Sequence, residues 1–283
     1  MVITDIPALR AWRGEQRERG RRIGLVPTMG ALHEGHLSLV DVAALQADTV
    51  LMTIFVNPLQ FGPSEDFLRY PRNLARDEQL ARARGVAAVF APSSDVMYPA
   101  GSETRVVPGP TAERGEGERR PGHFVGVLTI VAKLFHLVEP DVAVFGQKDI
   151  QQAVLIQRMV HDLNFPIAVT VAPTVRETDG LALSSRNAYL TAAERRQALS
   201  LSQALRLVDR LWRAGERATA TLERHMREEF RMFPSVGVDY IAIVEPEHLR
   251  SVDTADRGTI VAVAARIGAT RLLDNHILGT EFR

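Results

Sequence analysis

Up to about residue 175 the chain alternates short apolar runs with longer amphipathic ones, and that alternation constrains its fold more than any other feature. The runs are RIGLVPT (22–28), TVLMTIFV (49–56), VAAVFAP (86–92), DVAVFG (141–146) and IAVTVAP (167–173). They are β-branched, bounded by Pro or Gly, and too uniformly apolar for one face to be wet. They read as strands buried on both faces of a parallel sheet. Segments 35–47, 74–84, 124–138 and 149–163, which lie between them, have the periodicity of helices. Strand and helix in alternation give right-handed βαβ units and a doubly wound, Rossmann-like α/β fold. Ligands of such sheets bind beyond the carboxyl ends of the strands.

Two segments interrupt the alternation. NPLQFGPSEDFLRYPRN (57–73) carries three prolines and a glycine directly after a strand, and PGPTAERGEGERRPGHF (108–124) is rich in Gly, Pro and charge. Both read as long loops, and the first, leaving a strand's carboxyl end, is the candidate lid. After residue 175 the grammar changes. A Thr-x-x-Glu capping box opens a long amphipathic helix over 191–215, and a second helix covers 219–230. Strand-like runs follow at 238–244, 259–265 and 271–273. The expected organisation is a Rossmann-like domain over 1–174 and a smaller α+β domain over 175–283.

Composition narrows the function. The 34 basic residues balance the 34 acidic ones, so no global field draws the chain to nucleic acid or an anionic membrane. No apolar run approaches the roughly 20 residues that span a bilayer. Cysteine is absent, which removes disulfides, thiolate metal clusters and a cysteine nucleophile. A cytoplasmic enzyme or binding protein is the expectation. Only two of the basic residues are lysine, Lys133 and Lys148. A lysine kept in an arginine-biased chain can mark a place where a planar guanidinium cannot replace a compact ammonium.

The stretch VPTMGALHEGHLSLV (26–40) joins strand, glycine turn, histidine pair and helix. His33 and His36 then lie about one turn apart at a helix N-terminus, where backbone N–H groups and the helix dipole form an anion site. Gly30 and Gly35 let the backbone approach a ligand closely. Histidines there can stabilise charge developing on a leaving pyrophosphate. The spacing is one residue short of a metalloprotease His-Glu-x-x-His, and no acidic cluster completes another metal site. A second turn, VFGQKDIQQ (144–152), follows another strand and carries Lys148 and Gln152. In a parallel sheet it shares an edge with the histidine turn. A third segment, LALSSRNAYL (181–190), offers two hydroxyls and an arginine that could clamp phosphates, a common loop composition taken alone. Lys133 sits in an apolar helical stretch, at the core edge or supporting the site.

In this order the motifs resemble the nucleotidyltransferase superfamily with its His-x-Gly-His signature, and more closely its pantoate–β-alanine ligase family. VPTMGALHEGHLSLV, FVNPLQFGPSEDFLRYPR, RPGHFVGVLTIVAKLF, VFGQKDIQQ, PTVRETDGLALSSRNAYL and VDYIAIV fall in the family's order along essentially the whole chain. The resemblance implies that Met29, Gly30, Ala31, Leu32, His33, Glu34, Gly35 and His36 wrap the ATP phosphates and ribose. His36 occupies the position of a catalytic proton donor, with His33 and Lys148 as further catalytic residues. Gly146, Gln147, Lys148, Asp149 and Val175 would hold the nucleotide, and Leu183, Ser184, Ser185 and Arg186 would close over the phosphates. Gln60 and Gln152 would bind pantoate and β-alanine, and Asp77 would help place Mg²⁺. Arg76 stands where some members carry a second acidic residue, and Gln147 where Glu is frequent. The implied reaction forms pantoyl adenylate and pyrophosphate from pantoate and ATP, then pantothenate and AMP on attack by β-alanine. The partners are these small molecules, with no nucleic acid, no membrane and a homodimeric assembly. The alternative is another nucleotidyltransferase of this signature, acting on a different small acid or a phosphate.

Overall fold

A computed structural model of the protein describes residues 1–63 and 65–282. In chain order its elements are β1 (Val2–Ile3), α1 (Ile6–Glu18), β2 (Ile23–Thr28), α2 (Glu34–Ala44), β3 (Thr49–Ile54), α3 (Leu74–Ala83) and β4 (Ala88–Phe90). Next come α4 (Ser94–Met97), α5 (Glu116–Arg119), α6 (His123–Val138), β5 (Val142–Gly146), α7 (Ile150–Asp162) and β6 (Ala168–Ala172). Two long helices, α8 (Ala192–Arg213) and α9 (Thr219–Arg231), precede β7 (Val236–Val244), β8 (Ile260–Ile267) and β9 (Thr270–Ile277). The chain divides into two compact units. Residues 1–146 with 155–172 form one, and 147–154 with 173–283 form the other. The sequence places its single boundary at 174/175; in the structure the turn after β5 and the first residues of α7 also group with the second unit.

In the first unit six strands pair in the order β1-β4-β3-β2-β5-β6, every pair parallel. The two-residue period of the strands sorts side chains between two helix layers. Leu25 and Leu51, paired across β2 and β3, face a core with Leu9, Trp12, Leu128 and Phe135 from α1 and α6. Their neighbours Val26 and Met52 face the opposite core, with Leu39, Val40 and Ala43 of α2 and Ala81 of α3. Both faces are covered, which is why these strands read as continuous apolar runs. Strands β2 to β4 succeed one another in one direction and β5 to β6 in the other, so the order reverses between β2 and β5. The crevice at such a reversal is where open α/β sheets bind ligands. The histidine turn leaves β2 there, and Gly146 ends β5 at the same edge.

The second unit carries the antiparallel sheet β7-β8-β9 against α8 and α9. The expected capping box is present: the Glu194 N–H donates to Thr191 Oγ1 at 3.2 Å, and the Thr191 N–H to the Glu194 carboxylate at 2.9 Å. Some elements exceed the sequence reading. β1 and α1 appear where it placed nothing, and segment 108–124 contains a 3₁₀ turn (Pro110–Glu113) and α5. Segment 57–73 opens with a 3₁₀ turn, Pro58–Gln60. Its Phe61 packs edge-on against Phe67 and Tyr70, with ring centroids 5.4 and 6.1 Å apart. No helix among the described residues is long and apolar enough to cross a membrane.

Candidate active site

The turn between β2 and α2 is held by groups far away in sequence. Gly30 has φ +82°, and a Cβ there would stand 2.9 Å from Asp77 Oδ2, so the position suits only glycine. Ala31 also lies in the left-handed region, at φ 51°. Asp77, 1% exposed, accepts the Ala31 N–H at 2.8 Å and the Leu32 N–H at 2.9 Å. Arg76 donates to the Leu32 carbonyl at 3.2 Å. The two α3 residues thus fasten both polar groups of Leu32. His33 is the extended N-cap of α2, and its carbonyl accepts the His36 and Leu37 N–H groups at 2.8 and 3.1 Å. The His33 and His36 rings stack at 4.1 Å between centroids, 30° from parallel. Two half-buried imidazoles therefore stand beside the first turn of α2, whose N–H groups and dipole favour an anion. The Glu34 side chain turns to Arg84, 2.7 Å away.

Gln60 is fixed more tightly than its loop position suggested. Its Nε2 donates to the Met29 sulfur at 3.1 Å, and its Oε1 accepts from Asn57 Nδ2 at 3.1 Å. Met29 and Gln60, assigned by the resemblance to nucleotide and acid, are therefore in contact. Asn57, 1% exposed, also donates to the Gly126 carbonyl at 3.1 Å and accepts from Tyr98 Oη at 2.9 Å. Burial pushes the Tyr98 phenol up, so it remains a donor. Lys133 belongs to this surround: its ammonium donates to the Met97 carbonyl and lies 5.5 Å from the Tyr98 ring centroid. Burial lowers the pKa of that ammonium.

Within the second unit, the turn bearing Gln147, Lys148 and Asp149 is held by β9. Asn275 Nδ2 donates to the Gln147 and Lys148 carbonyls, each at 2.9 Å, and its Oδ1 accepts from Gln147 Nε2 at 3.2 Å. A glutamate at position 147 would have no hydrogen to donate there. The Lys148 ammonium lies 3.8 Å from the Asp149 carboxylate. Val175 and Leu183 meet directly, the Leu183 N–H donating to the Val175 carbonyl at 2.9 Å. Ser184 then caps a 3₁₀ turn through Ser185 and Arg186, accepting the Arg186 N–H at 3.3 Å. Asn187 ties that turn to Glu177 at 2.8 Å. Gln152 lies in the first turn of α7, half-buried.

The surroundings of Asp77 do not fit a metal held by the protein. Both carboxylate oxygens already accept backbone N–H groups, and the Arg76 guanidinium stands 3.6 Å from one of them. Among the described residues no group of three or more His, Asp or Glu could hold a metal ion. A divalent ion accompanying ATP would take its ligands from phosphate oxygens and water.

Sequence reasoning did not find Asn57, Tyr98, Arg120, His123, Gly126 or Asn275. RPGHF was visible as a motif, but in a charged, proline-rich segment it carried no sign that His123 is buried. Asn275 had no signal at all.

A doubly wound sheet with a histidine-bearing turn at its switch point, and a second α+β unit that carries the lysine turn after β5, define an α/β protein of two units. The comparisons with known proteins are more particular. The family model for pantoate–β-alanine ligase matches residues 1–277, and the chain belongs to that family. A pantothenate synthetase of Moorella thermoacetica is 53% identical over 277 residues, covering 98% of each chain. The crystal structure of pantothenate synthetase from Thermus thermophilus superposes with a TM-score of 0.93 at 46% identity, covering 98% of each chain. That of a pantoate–β-alanine ligase from Francisella tularensis, complexed with β-γ ATP and β-alanine, gives 0.83 at 33% identity, covering 100% of this chain and 99% of the other.

Proposed function

We propose that this chain condenses pantoate with β-alanine to give pantothenate, driven by cleavage of ATP to AMP and pyrophosphate. A carboxylate is a poor acyl donor and must be activated before an amine attacks it. A pantoate carboxylate oxygen attacks the α-phosphorus of ATP, and the bond to the β-phosphate oxygen breaks, releasing pyrophosphate. The β-alanine amine then attacks the acyl carbon of the adenylate, the bond to the phosphate oxygen breaks, and the amine proton passes to solvent as AMP leaves. His33, His36 and the first turn of α2 supply donors for the charge that develops on the phosphates, with His36 as proton donor and Lys148 as a compact cation. Ser184, Ser185 and Arg186 add donors for the phosphates, and Gln152 joins Gln60 in binding the acid. Excluding water would protect the adenylate from hydrolysis.

The observation that carries this reading over a phosphate-accepting nucleotidyltransferase is Gln60. It is a neutral amide, pinned between Asn57 and Met29 beside the histidine turn. Such a group suits a hydroxyl or a single carboxylate, whereas a phosphate acceptor calls for extra cations. Magnesium as the companion of ATP and a homodimer come from the family resemblance, a cytoplasmic setting from the composition, and no step above depends on them. The test is product analysis with ATP, pantoate and β-alanine. Pantothenate, AMP and pyrophosphate in equal amounts are expected; ADP and phosphate, or no turnover, would overturn the reading.

A further inference from the structure

We propose that His123 is a positioning residue for Gln60, acting as a neutral imidazole protonated on Nδ1, and that Arg120 enforces that tautomer. The inference rests on the reading of Gln60 as the acid-binding amide.

His123 is the first residue of α6, buried at 9% exposure. Its Nδ1 lies 2.8 Å from the Gln60 carbonyl oxygen, and its Nε2 lies 3.0 Å from Arg120 Nη1. A carbonyl only accepts and a guanidinium only donates. Nδ1 must therefore carry the hydrogen and Nε2 the lone pair. One tautomer satisfies both contacts; an imidazolium would present an N–H to the guanidinium. Burial, reinforced by the Arg120 charge, pushes the His123 pKa down to about 4, so the ring stays neutral in ordinary buffers.

Arg120 is itself fixed. Its Nε and Nη2 donate to the two Glu65 oxygens at 2.6 and 2.7 Å, and Nη2 also reaches the Gln60 carbonyl at 3.4 Å. The buried Glu116 carboxylate stands 4.0 Å from Nη1. One turn into α6, a Cβ on Gly126 would overlap the Leu59 carbonyl and come within 2.6 Å of the Gln60 nitrogen. Helix and 3₁₀ turn thus meet backbone to backbone, and Asn57 holds the Gln60 amide while His123 holds its carbonyl. Removing the imidazole leaves that carbonyl only the long Arg120 contact, freeing the Gln60 backbone to rotate its amide away from the acid.

The experiment measures pyrophosphate–ATP exchange with pantoate and ATP varied separately. His123→Ala and Arg120→Met should raise the KM for pantoate about tenfold to a hundredfold, the cost of a lost buried hydrogen bond. The KM for ATP should change far less, since the backbone of the histidine turn is held by Asp77 and Arg76 and only Met29 of that turn meets Gln60. His123→Asn, whose amide nitrogen can stand near the Nδ1 position, should restore most of the loss. Parallel rises in both KM values, or failure of Asn to outperform Ala, would overturn the proposal. Nitrogen chemical shifts of the unmodified enzyme test it without any variant: His123 should carry its hydrogen on Nδ1, and a hydrogen on Nε2 would overturn it. Absence of exchange in the unmodified enzyme would instead sink the ligase reading itself.

Discussion

Asn275 in β9 holds the carbonyl of Lys148 at 2.9 Å across 127 residues of sequence, and its buried side chain gives both amide hydrogens to that turn and accepts one from it. Asn275→Ala leaves two carbonyls without their donor. A buried group stripped of its partner costs about 1–3 kcal/mol. Chemical denaturation should register a loss of that order, with exchange activity falling more than ATP affinity. Asn275→Asp should be worse than Asn275→Ala, because a carboxylate would then face two carbonyl oxygens. An aspartate variant as stable as the unmodified protein would refute this account of the turn.

The polar run that supplies Asn275 is also where the sequence reading of β9 stopped. Asp274, Asn275 and His276 are each 3% exposed or less, yet they ended the predicted strand at 273 because charged and amide residues do not look buried. Each has a partner that sequence does not reveal: Arg176 for Asp274, the 147–148 turn for Asn275, Asp209 for His276. The parallel strands were legible because burial on both faces makes them uniformly apolar. α1 was not, since five of its thirteen residues are charged and only Leu9, Trp12 and Gln16 are buried. Most candidate residues that sequence offered follow strand ends or helix starts, whereas Asn57, Tyr98 and Asn275 owe their place to partners distant in sequence.

Asp77 separates two roles that one variant can tell apart. As a brace for Ala31 and Leu32 it needs two acceptor oxygens, and asparagine keeps one. Asp77→Asn should therefore lose about 1–3 kcal/mol of stability. It should also slow exchange while leaving the magnesium concentration at half-maximal rate unchanged. A severalfold rise in that concentration at unaltered stability would make Asp77 a metal ligand instead.

The neutral His123 predicts how stability depends on pH. Its pKa is lowered from 6.5 to about 4 on folding, so between those values the unfolded chain binds the proton and the folded one does not. The contribution is complete above pH 6.5 and is lost as pH falls toward 4, by up to about 3 kcal/mol. Glu65, where burial raises the pKa but Arg120 and the Gly62 N–H together bring it below the ordinary 4.5, loses its share only below that value. His276, lowered by burial, slopes in the same direction as His123. Urea denaturation of the unmodified protein and His123→Asn across pH 4.5–7 isolates the one histidine. The variant should show the shallower slope, and identical slopes would contradict a neutral buried ring.

The last prediction concerns Lys148 and the order of the two chemical steps. If the adenylate forms before the amine enters, labelled pyrophosphate should exchange into ATP with pantoate and magnesium alone, β-alanine being unnecessary. Lys148→Arg keeps the charge in a chain where 32 of the 34 basic residues, all but Lys133 and Lys148, are arginine. The lysine side chain is 21% exposed, on a backbone that Asn275 holds in place. A guanidinium is wider, planar and bound to donate in a fork, so it does not make a point contact on a crowded phosphate. Loss of one donor aimed at transition-state charge costs a factor of about 100 to 1,000. Lys148→Arg should lose exchange by about that factor while its unfolding transition stays where it was, since arginine keeps the charge that faces Asp149. Exchange near the unmodified rate would mean that any cation serves at this position. Exchange that appears only when β-alanine is added would rule out a separate adenylate-forming step.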